Sequence, residues 1–129
     1  LTSKGYSLSL DGICWMQGES DSWNNDEEAY YRDTIAFVSG LRRDFLKYQK
    51  DIKWIDAAIN DSPDMWPYPV AINNAKIRFS KKSSLNYFID TNALGIKTDT
   101  EPIGSIDYAH YDSLSMVNLG KEFGKIAAS

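Results

Sequence analysis

Two groups of residues in this 129-residue chain have the types and spacing that chemistry requires. The first is Asp107 and His110, three residues apart, with His110 the only histidine in the chain. An imidazole that takes a proton from a hydroxyl must keep its other nitrogen protonated and correctly aimed. A nearby carboxylate fixes that tautomer and stabilises the imidazolium that forms. The pair therefore suits general-base catalysis, although a solitary histidine is also a common surface residue. The second group follows Gly12. Ile13, Cys14, Trp15 and Met16 form an unbroken apolar run, which ends abruptly in Gln17, Gly18, Glu19, Ser20 and Asp21. Such a short run suits a strand buried on both faces of a parallel sheet. Polar groups released at the carboxyl end of such a strand stand where open α/β sheets bind ligands. Gly18 lacks a Cβ, so the chain can turn sharply there and a ligand can come close. Gln17 and Glu19 are then placed at the rim of a crevice; the competing reading is ordinary turn chemistry after a strand.

The elements that must position these groups follow from periodicity. The first strand is expected over residues 10–16. Residues 22–25 are a turn-like cluster in which Asn24 or Asn25 is placed to cap a helix. Asp26, Glu27 and Glu28 open that helix with the sign its dipole favours, and this role, with no histidine nearby, outweighs a metal-ligand reading. Tyr31, Ile35, Val38, Leu41 and Phe45 then recur on one helical face, with Arg42, Arg43, Lys47 and Lys50 toward the carboxyl end. Residues 52–59 read as a second strand, again followed by polar residues. A stiff aromatic loop comes next, and its Trp66 is a candidate for stacking against a sugar ring. The prolines hold off regular structure until a helix over 70–82, with Ile72, Ala75, Lys76 and Phe79 on one face and the lysine stem along the core edge. Residues 85–90 are a third strand and 91–105 a long loop. A last helix spans about 113–127, capped by Asp112 or Ser113, with Met116, Leu119, Gly120, Phe123 and Ala127 inward. The order strand, helix, strand, helix, strand, loop, helix implies a single α/β domain over 1–129, a parallel sheet covered by helices.

Composition narrows the function classes. Hydrophobic residues are 43% and charged residues 25%, ordinary values for a globular domain. Fourteen basic against eighteen acidic residues give −4, which argues against a nucleic-acid module. No apolar stretch approaches the ~20 residues of a membrane span. The single cysteine, Cys14, has no intrachain disulfide partner and is expected as a packed small hydrophobe. The chain begins at Leu1 rather than Met, as expected if the amino terminus has been processed, cut or left out.

The two groups also carry a resemblance. Trp15, Met16, Gln17, Gly18, Glu19, Ser20 and Asp21 resemble the Trp-x-Gln-Gly-Glu-Ser block of a carbohydrate esterase family. That family holds sialate O-acetylesterases and acetyl xylan esterases, within the SGNH-hydrolase superfamily. Asp107 and His110, just before the last helix, resemble the Asp-x-x-His block of the same superfamily. The resemblance implies a flavodoxin-like, three-layer α/β/α fold with a parallel sheet. It implies a serine esterase that removes acetyl groups from a glycan through an acyl-enzyme, with no metal or organic cofactor. His110 is then the base, Asp107 or Glu19 its acid partner, and Gln17 and Gly18 the oxyanion or substrate contacts. It also points to a secreted or periplasmic setting.

One block of that pattern is missing. The family's nucleophile lies in a Gly-x-Ser-Asn-like turn after an earlier strand, and Ser20 and Ser105 are poor substitutes. The chain then reads as the carboxyl-terminal part of an esterase domain, incomplete at its amino end. Its partners are an acetylated carbohydrate and the missing amino-terminal segment of the same protein. The alternatives are a carbohydrate-binding module without catalysis, or an inert fragment of the same fold.

Overall fold

The computed structural model describes residues 2–62, 64–98 and 107–129. Three strands, β1 (Gly12–Trp15), β2 (Lys53–Ala57) and β3 (Asn86–Ile89), form a parallel sheet in the order β1-β2-β3. The helices are α1 (Glu27–Phe45), α2 (Pro69–Ser80) and α3 (Ser113–Ala128). Tyr31 and Val38 of α1 and Ala75 and Phe79 of α2 pack with Trp54 on one face of the sheet. Leu119 of α3 packs with Ile55, Ala57, Ile89 and Tyr111 on the other. Alternate residues of β2 thus feed opposite cores, as the two-residue period of a strand requires. The architecture is three-layer α/β/α, as the order of elements implied.

The strand buried on both faces is β2, not β1. β2 is paired along both edges and covered on both faces, so residues 54–57 are all buried. β1 pairs only with β2 among the described residues, and Cys14 is exposed rather than packed. Among the described residues one face of β1 is covered, through Ile13 and Trp15, while Cys14 and Met16 face outward.

The cap of α1 is Asp26, whose carboxylate accepts from Ala29 N at 2.8 Å, in place of Asn24 or Asn25. Pro69 opens α2 instead of delaying it, since a first helical position needs no N–H. Asp112 caps α3 by accepting from Ser115 N at 2.7 Å. The inward face of α3 runs through Ser115, Leu119, Phe123 and Ile126, while Met116 and Gly120 face solvent. Ser115 is turned inward because its hydroxyl accepts from Lys97 N at 3.0 Å.

Lys76 is the largest departure from the expected pattern. Its stem does not lie along the core edge: the residue is 1% exposed, within the α1/α2 side of the core. Nζ donates to Asp56 Oδ1 at 2.9 Å and to Ala57 O at 2.8 Å, so the charge is carried into the core against a carboxylate of β2.

Candidate active site

The carboxyl ends of the three strands and the loop before α3 converge on one end of the sheet. At β1 the chain leaves through Gln17 and turns at Gly18, which has φ +136° and is buried. A Cβ there would stand 2.6 Å from Ile72 Cγ2, so the turn accepts only glycine without displacing α2. The turn is knitted by Ser22, which is fully buried: its N donates to Gly18 O at 2.9 Å and its hydroxyl to Glu19 O at 2.6 Å. The expected loose cluster at 22–25 is in part a short 3-10 turn, Asp21–Trp23. Gln17 lines a cleft of about 500 Å³ beside α1, with Trp15, Trp54, Tyr30 and Phe37 among its walls.

At β2 the exit is fixed by Asn73 of α2. Its side-chain amide accepts from Ile59 N and donates to Ile59 O, both at 2.9 Å. This replaces the neighbouring strand that β2 lacks at that point and leaves no orphan backbone group. Asn60, the next residue, donates from Nδ2 to Tyr108 O at 3.0 Å, which ties the β2 exit to the histidine loop. That loop is held from its other side as well. Tyr111 OH donates to Thr91 Oγ1 at 3.0 Å, and Thr91 donates to Ala58 O at 3.2 Å. Tyr111 also bridges to Thr98, and Asp112 N donates to Lys97 O at 3.0 Å. Burial pushes the Tyr111 phenol above its ordinary range; the Thr91 hydrogen bond opposes that, and the charges of Glu19 and Asp61 add to it. Glu19 is therefore within electrostatic reach of the residue that follows His110.

Between these anchors sit Asp107 and His110. His110 Nδ1 lies 2.7 Å from Asp107 Oδ2. Asp107 Oδ1 accepts from Ala109 N at 2.8 Å and His110 N at 3.1 Å, so the backbone fixes the carboxylate that orients the ring. The His110 side-chain hydrogen bond, and then these two backbone donors, hold the Asp107 carboxyl below the usual carboxylate range. With Nδ1–H donating to a carboxylate, Nε2 is the basic nitrogen. Of the two carboxylates proposed from the sequence, Asp107 bonds to His110 Nδ1.

The remaining expected residues are placed as follows. Glu19 is half-buried at the β1 exit, and Ser20 is exposed in the turn after it. Trp66 is half-buried in the loop between β2 and α2; its N and that of Met65 both lie 3.2 Å from Ser62 O. Its indole nitrogen is buried with no hydrogen-bond partner among the described residues. Ser105 and the end of the long loop lie outside the described residues. Among those described, no cluster of metal-ligating side chains is present, and no helix is long and apolar enough to cross a membrane.

Sequence reasoning missed Asn60, Asn73, Tyr30 and the Asp56–Lys76 pair. For Asn60 a signal existed, since it is the first polar residue after the second apolar run. The others are polar residues inside apolar helix or strand patterns, where the pattern alone gives them no partner.

A comparison with curated proteins finds no match. A family model described as carbohydrate esterase, sialic acid-specific acetylesterase matches residues 2–129. That match covers both the Gln17 turn and the Asp107–His110 loop, and the chain belongs to the sialic acid-specific acetylesterase family of carbohydrate esterases.

Proposed function

We propose that the chain is the base-bearing part of a serine O-acetylesterase of SGNH-hydrolase type, acting on an acetylated carbohydrate. The observation that carries this reading is the 2.7 Å contact of His110 Nδ1 with Asp107 Oδ2 at the carboxyl end of the sheet. Nε2 takes the proton of the serine hydroxyl as Oγ attacks the acetyl carbonyl carbon. It returns that proton to the sugar oxygen as the ester C–O bond breaks, leaving acetyl-serine. Water, deprotonated by the same nitrogen, then attacks the acetyl carbonyl carbon; Nε2 returns that proton to the serine Oγ as the C–Oγ bond breaks, and acetate leaves. Asp107, held ionised by its hydrogen bonds, keeps the ring aimed and stabilises the imidazolium. Gln17 and the backbone at Gly18 donate to the oxyanion that forms in both steps. Trp66 contacts the sugar, and Glu19 adds a second carboxylate at the rim.

In this reading the serine is supplied by a segment outside these 129 residues. The outer edge of β1, next to Gln17, has no partner strand among the described residues, which supports this, since a further strand there would deliver its carboxyl end to the same crevice. The test is acetate release from an acetylated sugar by the whole protein. His110→Ala should lower turnover at least ~10³-fold. Turnover retained within about tenfold of the wild type sinks the role given to His110.

A further inference from the structure

Gln17 is gripped at both ends of its side-chain amide. The Tyr30 hydroxyl, from the first turns of α1, lies 3.3 Å from Gln17 Oε1 and 3.2 Å from Gln17 O. On the other side, Gln17 Nε2 donates to Asp21 Oδ2. An ionised carboxylate only accepts, so the amide atom that faces Asp21 is the nitrogen. The oxygen must then face Tyr30, whose one hydroxyl hydrogen is shared between Gln17 Oε1 and Gln17 O. Burial, and next the negative charges of Asp56 and Asp21, push the Tyr30 phenol above its ordinary range, against a hydrogen bond with Trp15.

Both partners are themselves fixed. Tyr30 N donates to Asp26 O at 3.2 Å, within the turn that Asp26 caps. The Tyr30 oxygen also lies 3.4 Å from where a Gly18 Cβ would stand, so it is packed against the β1 turn. Asp21 begins the short 3-10 turn that the buried Ser22 anchors. The amide is thus clamped between a helix and a turn that belong to different elements.

We infer that Tyr30 and Asp21 are positioning residues that hold the Gln17 amide in one orientation, with its second Nε2–H presented to the developing oxyanion. This rests on the esterase reading for its consequence, but the clamp itself does not. An amide that turned over would present Oε1, and one oxygen dipole facing another negative oxygen opposes the transition state. Preorganised donors act because they need no such reorientation at the moment of reaction.

The test uses the whole protein. Tyr30→Phe keeps the ring in place and removes the donor. It should lower kcat about tenfold and leave KM within about twofold, the pattern of an interaction made in the transition state. On a Gln17→Ala background the same substitution should change nothing further, because Tyr30 acts through Gln17. Equal losses on both backgrounds, or a loss confined to KM, overturn the inference. A second readout needs no turnover. The Gln17 side-chain 15N–1H signals, identified by their disappearance in Gln17→Ala, should move in Tyr30→Phe and in Asp21→Asn. Signals unchanged in both variants overturn the clamp. If His110→Ala leaves turnover intact, the esterase reading falls, and the amide signals still decide whether the clamp exists.

Discussion

Lys76→Met removes the ammonium from the core and keeps most of the stem. In the native chain Nζ is 2.9 Å from Asp56 Oδ1 and 2.8 Å from Ala57 O, and the two side chains are 0% and 4% exposed. Without Lys76, Asp56 is a buried carboxylate with no counter-charge. Breaking a buried pair from one side costs about 3–5 kcal/mol. The pH dependence separates this cost from a simple loss of packing. Burial pushes the wild-type Asp56 carboxyl up to about 6, against the pull of Lys76. A folded-state pKa above the unfolded one means that the folded chain binds the extra proton. The contribution is therefore full below the ordinary carboxylate range and is lost as pH rises through about 6. Removing Lys76 raises the folded-state value further. The variant then goes on losing about 1.4 kcal/mol per pH unit where the wild type is flattening. The stability gap between them should widen by about 1 kcal/mol from pH 6 to pH 7. Urea unfolding of both proteins at the two pH values measures this. A gap below about 1 kcal/mol at pH 7, or one that does not change with pH, refutes the reasoning. Lys76→Met combined with Asp56→Leu should regain most of the loss, because replacing both partners by apolar groups is often neutral.

Four further outcomes follow from the same geometry. Gly18→Ala should cost about 2–4 kcal/mol, from the positive φ and the clash with Ile72, and a midpoint shift worth less than about 0.5 kcal/mol in denaturant argues against it. Asn73→Leu leaves the N–H and C=O of Ile59 unpaired in the core, at about 1–3 kcal/mol for each group, which thermal unfolding reads. Asp112→Ala removes the cap of α3 and should cost about 1 kcal/mol; a loss above about 3 kcal/mol would mean that the carboxylate does more than cap. Asp107→Asn keeps the shape of the loop but removes the charge that orients His110, so kcat for acetate release should fall at least ~10²-fold with KM little changed. An effect on KM alone would place Asp107 in substrate binding instead.

Much of this fold was legible because its elements obey simple periods. The stripe Tyr31, Ile35, Val38, Leu41 marked α1, and the run at 52–59 marked the strand that proved central. What failed was context. Four apolar residues in a row look alike in an edge strand and in a central one, so Cys14 was placed inside when it faces out. Lys76 shares a helical face with Ile72, Ala75 and Phe79, and nothing local says that Asp56, twenty residues earlier, waits to receive its charge. For α3, Met116 and Gly120 satisfied the helical spacing as well as Ser115 and Ile126 do. The buried face is the one that meets partners on other segments: Ser115 accepts from Lys97 N, and Leu119, Phe123 and Ile126 join the core of Ile55, Ala57 and Ile89.

The candidate site divides along the same line. Asp107 and His110 were legible because they are three residues apart and bond within one loop. Gln17, Gly18 and Glu19 were legible because they end a strand. What joins the two groups is long-range: Asn60 to Tyr108, Tyr111 through Thr91 to Ala58, and Asn73 to Ile59. All three clamps engage the exit of β2, the strand between the Gln17 turn and the histidine loop. A base has to meet an oxyanion donor with sub-ångström tolerance, and sites held on rigid elements achieve this better than sites on free loops. The dyad here is on a loop, with the His110 side chain 82% exposed. In the proposed esterase its precision would come from β2, which is fully buried after its first residue and cannot shift without disturbing both cores. The buried strand, which carries none of the expected catalytic side chains, is what relates them to one another.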